Sequence, residues 1–171
     1  MKVLLHTCCG PCASACVPRL KELGHEVTMF FANSNIDTRE EFEKRLGEAK
    51  KLAQADGVEI EASAYDHSAW LEQVAKDCED APEKGERCAK CFKYNLGLTA
   101  KYAAEHGYDA FTTSLTVSPH KVSEMVFAAS TDEKFLKENF KKHEGFKRSL
   151  QRSAELGLYR QNYCGCEFSK N

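Results

Sequence analysis

Residues 2–16 read KVLLHTCCGPCASAC. The short apolar run "KVLLHT" is predicted to form a strand that ends at the first cysteines. Pro11 suits the first turn of a helix, and "CASACVPRLKELG" (12–24) continues it, with Pro18 a kink and Gly24 a stop. The cysteines therefore fall where a strand's carboxyl end meets a helix's amino end. Cys9 and Cys12 have the spacing of a thioredoxin dithiol, yet Cys8 stands directly before it and Cys16 one helical turn behind. The stretch can be a disulfide exchanger, a metal site or a stapled core, and the rest of the chain has to choose.

Outward from this stretch, strands and helices alternate. "HEVTMFFAN" (25–33) and "VEIEASAY" (58–65) are predicted strands, separated by a helix over 38–57 with capping residues and acids early and a glycine stop. "HSAWLEQVAKD" (67–77) is a short helix, and 77–90 a polar loop. "CAKCFKYNLGLTAKYAAEHG" (88–107) starts at a second CxxC and continues as an amphipathic helix. "YDAFTTSLTV" (108–117) is a fourth strand, Ser118-Pro119 opens another helix, residues 132–156 are mostly helical with a break at Gly145, and 157–169 form a tail. This order predicts one α/β domain over residues 1–171, a doubly wound parallel sheet with a helical C-terminal region. Ligands of such sheets sit at the carboxyl ends of the strands. Strand one ends at Cys8-Cys9 and strand four near Thr112-Thr113-Ser114, so neighbouring placement would give them one crevice.

Composition narrows the chemistry. The 171 residues suffice for a sizeable core. No run is apolar enough to span a bilayer, and the first residues lack the apolar core and cleavage site of a secretory signal. A reducing cytoplasm is the expected compartment, and there nine cysteines point to metal or redox chemistry instead of a disulfide scaffold. Eight of them group locally: Cys8, Cys9, Cys12 and Cys16, then Cys88 and Cys91, then Cys164 and Cys166. Only Cys78 stands alone. The net charge of −2 offers no global footprint for nucleic acid. Residues 134–152 are locally basic, with Lys134, Lys137, Lys141, Lys142, Lys147, Arg148 and Arg152 against Glu138 and Glu144. That segment is either a solvated face or a phosphate contact.

A CxxC at a helix start lowers a thiol's pKa through the helix dipole, as exchange requires. Against a thioredoxin, no strand and helix precede the motif, Cys8 replaces the usual tryptophan, and a dithiol exchanger has no use for a further CxxC and a CxC. Two CxxC pairs also make a zinc signal, and four thiolates suit a [4Fe–4S] cluster equally. Cys164-Gly165-Cys166 is either a redox pair, able to close a strained and easily reduced disulfide, or two more metal ligands.

The blocks "LLHTCCGPC" (4–12), "FFANSNIDTREEFEKR" (30–45), "ERCAKCFKYNLGLTA" (86–100), "FTTSLTVSPHK" (111–121) and "GLYRQNYCGC" (157–166) together resemble, in order, the signature blocks of the QueH family of cobalamin-independent epoxyqueuosine reductases. The resemblance covers nearly the whole chain. It implies a sheet related to the nucleotide-binding HUP class, and a reaction: reductive removal of the epoxide oxygen of epoxyqueuosine, a modified guanine at the tRNA wobble position, giving queuosine. It implies tRNA as partner, an electron donor the sequence does not identify, a [4Fe–4S] cluster and an additional mononuclear iron. By position, Cys8, Cys9, Cys88 and Cys91 match the cluster ligands. Cys12 matches a position suited to a metal ligand, and Cys164 and Cys166 match the terminal pair that is redox-active or binds the second iron. The chain departs from the family pattern at Asn139, commonly Asp, and at Gly10, usually Ala.

The remaining polar residues carry weaker expectations. His6 is expected to be a satisfied core histidine, and Cys16 and Cys78 small buried hydrophobes. Tyr159, Arg160 and Gln161 precede the CxC and are candidates for holding RNA, while Arg87 is a candidate for tuning a cluster or touching phosphate. Epoxide reduction needs a proton for the departing oxygen, for which Asp66, Tyr159 and His120 are nominated.

Overall fold

The computed structural model describes residues 1–170. Four strands, β1 (Lys2–His6), β2 (Glu26–Phe31), β3 (Glu59–Ala62) and β4 (Ala110–Thr113), form a parallel sheet in the order β3-β2-β1-β4. β1 pairs with β4 in the register Val3↔Ala110 to His6↔Thr113, so the carboxyl ends of the first and last strands are neighbours.

Helices cover both faces, which explains why β1 is apolar at every interior position and does not alternate. The period of two still sorts its side chains. Val3 and Leu5, with Val27, Met29 and Phe31 of β2, join a core with α1 (Gly10–Glu22), α2 (Arg39–Asp56) and α6 (Gly145–Leu156). Leu4, Phe30 and Phe111 join the opposite core with α4 (Glu86–Glu105) and α5 (Ser123–Ala128). The short α3 (His67–Trp70) runs on as a π-helical turn over Leu71–Ala75. No helix among the described residues is long and apolar enough to cross a membrane.

The local signals account for most helix ends. Thr38 caps α2, its hydroxyl accepting from the Glu41 amide at 3.1 Å, and Gly57 ends that helix in the left-handed region. Cys9 caps α1, its sulfur accepting from the Cys12 amide at 3.4 Å, and α1 continues through Pro18. At Gly10 an added Cβ would lie 3.2 Å from the Glu48 carbonyl oxygen, so glycine lets α1 start close against α2.

Residues 132–141 differ from expectation. They are not helical but run beside β4. The Phe111 amide donates to the Lys134 carbonyl at 3.0 Å and the Leu136 amide to the Phe111 carbonyl at 2.8 Å. Further on, the Thr116 hydroxyl accepts from the Phe140 amide at 3.0 Å. An open sheet edge offers this segment backbone partners, and those bonds outweigh its weak helical pattern. Only α6 remains of the long helix, and it begins where the break was expected. A Cβ on Gly145 would fall 1.6 Å from the Phe140 carbonyl oxygen. Gly145→Ala is therefore expected to lower unfolding free energy by about 3 kcal/mol. Gly47→Ala, in an exposed interior turn of α2 with no neighbour within 4 Å of the new methyl, should raise it by about 1 kcal/mol. Urea titration of both variants checks the pair.

Candidate metal centre and active-site cavity

Three thiols gather where β1 passes into α1. Cys8 follows the end of β1, Cys9 caps the helix and Cys12 lies in its first turn; their sulfurs all lie within 4.8 Å of one another. Ser114, just beyond β4, bridges to them. Its hydroxyl accepts from the Cys8 amide at 3.0 Å and donates to the Cys8 sulfur at 3.2 Å. Hydrogen bonds from Cys12, then from Cys8, hold the Cys9 thiol well below a cysteine's ordinary value. Contacts to Cys8 and Cys9, with burial, hold the Cys12 thiol well above it. A soft metal centre would draw all three into the thiolate form, so the donor set fits an iron–sulfur or other thiophilic centre.

These sulfurs lie in a cavity of about 500 Å³. Cys88 and Cys91 of α4 and Cys164 and Cys166 of the tail line it too, so all seven nominated cysteines face one space. Only Cys8, Cys9 and Cys12 form a group closed within 4.8 Å among the described residues. Cys91 and Cys166 pack with Trp70, Val74 and Ala75, and burial pushes both thiols up. Cys164 is exposed, its sulfur 2.8 Å from Lys121 Nζ. The expectation of a disulfide is corrected here: all nine cysteines are free. Gly165, with φ of 145°, lets the neighbouring thiols diverge, one toward Lys121 and the other into the Trp70 cluster.

The tail is held over the cavity by α2. Arg45, 2% exposed, donates from Nη1 to the Cys164 carbonyl at 2.8 Å and from Nη2 to the Tyr163 carbonyl at 3.2 Å. Tyr159 Oη donates to Glu41 at 2.7 Å, Tyr163 Oη donates to Asp37 at 2.9 Å, and the Asp37 amide donates to the Gly165 carbonyl at 2.9 Å. A Cβ on Gly165 would lie 2.9 Å from Asn35 Nδ2 and 3.3 Å from Arg45 Nη1, so only glycine fits between the two cysteines. Hydrogen bonds to a charged group contribute about 1.5–3 kcal/mol each. Arg45→Met is expected to speed trypsin cleavage after Arg160 by about ten- to hundredfold through local opening, with cleavage after Lys101 in α4 unchanged. Equal rates in parent and variant would show that other contacts hold the tail.

Other nominated residues have structural duties. His6 is buried: Nδ1 accepts from the Thr113 hydroxyl at 2.8 Å, and Nε2 faces the Ala32 carbonyl at 3.1 Å and Asn33 Oδ1 at 3.2 Å. Cys16 and Cys78 are buried, donating to the Cys12 and Val74 carbonyls. Arg87 is buried and donates to the carbonyls of Cys78, Glu79 and Ala81, tying down the loop before α4. Asp66 caps α3, accepting from the Ala69 amide at 3.0 Å, and Tyr159 is bound to Glu41, so neither lines the cavity as an acid. His120 lines it and is exposed. Asn139 Oδ1 accepts from the Lys141 amide at 3.1 Å, an acceptor role an aspartate would also fill.

Sequence reasoning missed three residues here: Lys121, Arg45 and Trp70. Lys121 ends a quoted block but was given no role. Arg45 hides in a charged helix, although it shares the buried stripe of Phe42, Leu46, Ala49 and Leu52, and that 3.6-residue period marks it as inward-facing.

Comparison with known proteins identifies the family. The family model described as epoxyqueuosine reductase QueH matches residues 3–171. The epoxyqueuosine reductase QueH of Streptococcus pyogenes serotype M1 is 34% identical over 179 residues, covering 98% of this chain and 69% of that protein. The protein of the same name from Acinetobacter baylyi is 35% identical over 175 residues, covering 98% and 80%. Among solved structures, the U34-tRNA thiolase NcsA from Methanococcus maripaludis with its [4Fe–4S] cluster superposes with a TM-score of 0.61 at 14% identity; the match covers all of this chain and 61% of that one, and it shows the fold alone. The architecture is thus the parallel α/β sheet expected, and the chain belongs to the epoxyqueuosine reductase QueH family.

Proposed function

We propose that this chain is a tRNA-modifying reductase that converts epoxyqueuosine to queuosine at the wobble position, removing the epoxide oxygen with two electrons. Family membership supports the reaction. The observation that carries the site is the convergence of seven cysteines on one cavity at the carboxyl end of the sheet, with three sulfurs within 4.8 Å. In this reading one α/β domain carries the whole site and works in the cytoplasm, where its tRNA is found.

Cys8, Cys9, Cys88 and Cys91 would hold a [4Fe–4S] cluster, and Cys12 would serve as a ligand of a mononuclear iron. Cys164 and Cys166 are the catalytic pair or the further ligands of that second iron. When bound, the cluster would supply single electrons. The chain's own residues do the rest. The cavity, about 500 Å³, is in the range that encloses a base-sized ligand. Burial opposes charge on Lys121, but Cys164, and beyond it Cys8 and Cys91, hold its Nζ protonated. Its backbone carbonyl accepts from Lys141 Nζ at 2.7 Å, which fixes the segment. Lys121 is thus a fixed ammonium in the cavity, suited to stabilise negative charge on the departing oxygen, in place of the acids first nominated. The metal-free dithiol alternative is not favoured, since the Cys9–Cys12 pair belongs to a group of three thiols and not to an isolated dithiol.

Iron and sulfide content of protein purified without oxygen tests the ligand set. Cys8→Ser, Cys9→Ser, Cys88→Ser and Cys91→Ser should each strip or destabilise the cluster, because a hydroxyl is a poor ligand for it, and Cys78→Ser should leave both contents unchanged. Full retention in Cys88→Ser would overturn this set, and stoichiometric zinc without iron would overturn the reductase reading. Cys166→Ser is expected to keep the cluster's absorption and lose epoxide reduction.

A further inference from the structure

Resting on the reading of a tRNA substrate, we infer that Lys84 and Arg160, assisted by His120, grip the phosphates on either side of the reacting nucleotide at the cavity mouth, and that the basic segment 134–152 does not hold the RNA. A base inside the cavity leaves its own phosphates within one nucleotide of the opening. Only cations at that opening can reach them. Four permanently cationic side chains line the cavity: Lys84, Arg87, Lys121 and Arg160. Two are engaged, Arg87 on three backbone carbonyls and Lys121 on Cys164. Lys84 and Arg160 are exposed, and neither has an acidic partner within ion-pair distance among the described residues. Exposed His120 adds a donor at the same opening.

These groups come from three separate segments: the loop before α4, the loop after β4, and the tail before the CxC. Their convergence is a product of the fold and not of a basic stretch of sequence. Among the described residues Glu83 is the one acidic residue lining the same space, so the rim is net positive on a chain whose net charge is −2.

The segment 134–152 is placed and occupied otherwise. Only Phe146 of it lines the cavity. Arg152 pairs with Asp56 at 2.6 Å and donates to the Ser14 carbonyl at 2.7 Å. Asp56 ends α2, the helix that returns the chain to the start of β3, so this pair sits toward the amino end of the sheet, away from the cavity. Lys141 donates to the Lys121 carbonyl and to Ser123 Oγ.

The test uses the iron-loaded protein and tRNA transcripts, with affinity measured by fluorescence anisotropy across a potassium chloride series. The rim variant is Lys84→Asn with Arg160→Gln; asparagine tolerates the left-handed backbone at Lys84, where φ is 68°. Each contact to a single-stranded phosphate contributes about 0.7 to the slope of log affinity against log salt. The rim variant should therefore bind about tenfold or more weakly at moderate salt, with a slope shallower by roughly 1.4. Turnover of epoxyqueuosine-tRNA at saturating substrate should stay near the parent value with KM raised, as uniform binding predicts. Lys142→Ser with Arg148→Ser should leave affinity and slope unchanged. Parental affinity and slope in the rim variant, or an equal loss in the control, would overturn this inference and leave the reductase reading standing. A parent protein with no affinity for tRNA would overturn both.

Discussion

The site depends on a neutral imidazole buried beneath it. His6 joins the carboxyl ends of three strands, with Thr113 of β4 on one nitrogen and, on the other, Ala32 and Asn33 just after β2. Asn33 closes the network by donating to the Thr7 carbonyl at 2.8 Å. Burial drives the His6 pKa down to about 4, so at neutral pH the ring keeps one donor and one acceptor nitrogen, as these partners demand. The consequence lies two residues on. With β1, β2 and β4 held level, Cys8 emerges beside Ser114, and Cys9 and Cys12 turn into α1 above the latch.

A parallel sheet supplies a crevice but not a closed cavity. The far wall comes from the tail, which has little regular structure to hold it. Arg45, Glu41 and Asp37 supply the missing constraint from α2 and the loop before it, bonding to two tail carbonyls and to the hydroxyls of Tyr159 and Tyr163. A buried guanidinium with imperfect carboxylate pairing (3.4 Å to Glu41) adds little to stability by itself. It fixes one arrangement of the tail, because any other would leave its charge and those carbonyls unpaired.

The sheet class and its element order were legible because each strand and helix carries its own periodic signal and stop. The neighbourhood of β1 and β4 was not, since strand order is set by non-local packing. The segment 132–141 was misread for the same reason: its partner is the edge of β4, more than twenty residues earlier in the chain. At the site, the cysteines were legible as a group because soft ligands cluster in sequence. Their partition was not. The family resemblance groups Cys8 and Cys9 with Cys88 and Cys91, whereas the structure closes Cys8 and Cys9 into one group with Cys12. Lys121 and Arg45 were missed, and the burial of Arg87 was not foreseen, because a charged residue in a polar stretch has the same local signature whether it faces water or the interior.

Those three cations share a logic that joins the fold to the chemistry. With a soft metal bound, the cavity would carry several thiolates and have to offset their negative charge, and surface cations would be screened by water and salt. Lys121 supplies its charge within the cavity, against Cys164. Arg45 stands behind the wall and Arg87 lines it, anchored on backbone carbonyls of the tail and of the loop before α4. Neither guanidinium is tied up in a tight carboxylate pair, and Arg87 counters part of what burial does to the Cys166 thiol. Arg87 thereby both holds a wall of the cavity and acts on a sulfur that lines it, so its loss would change shape and electrostatics together.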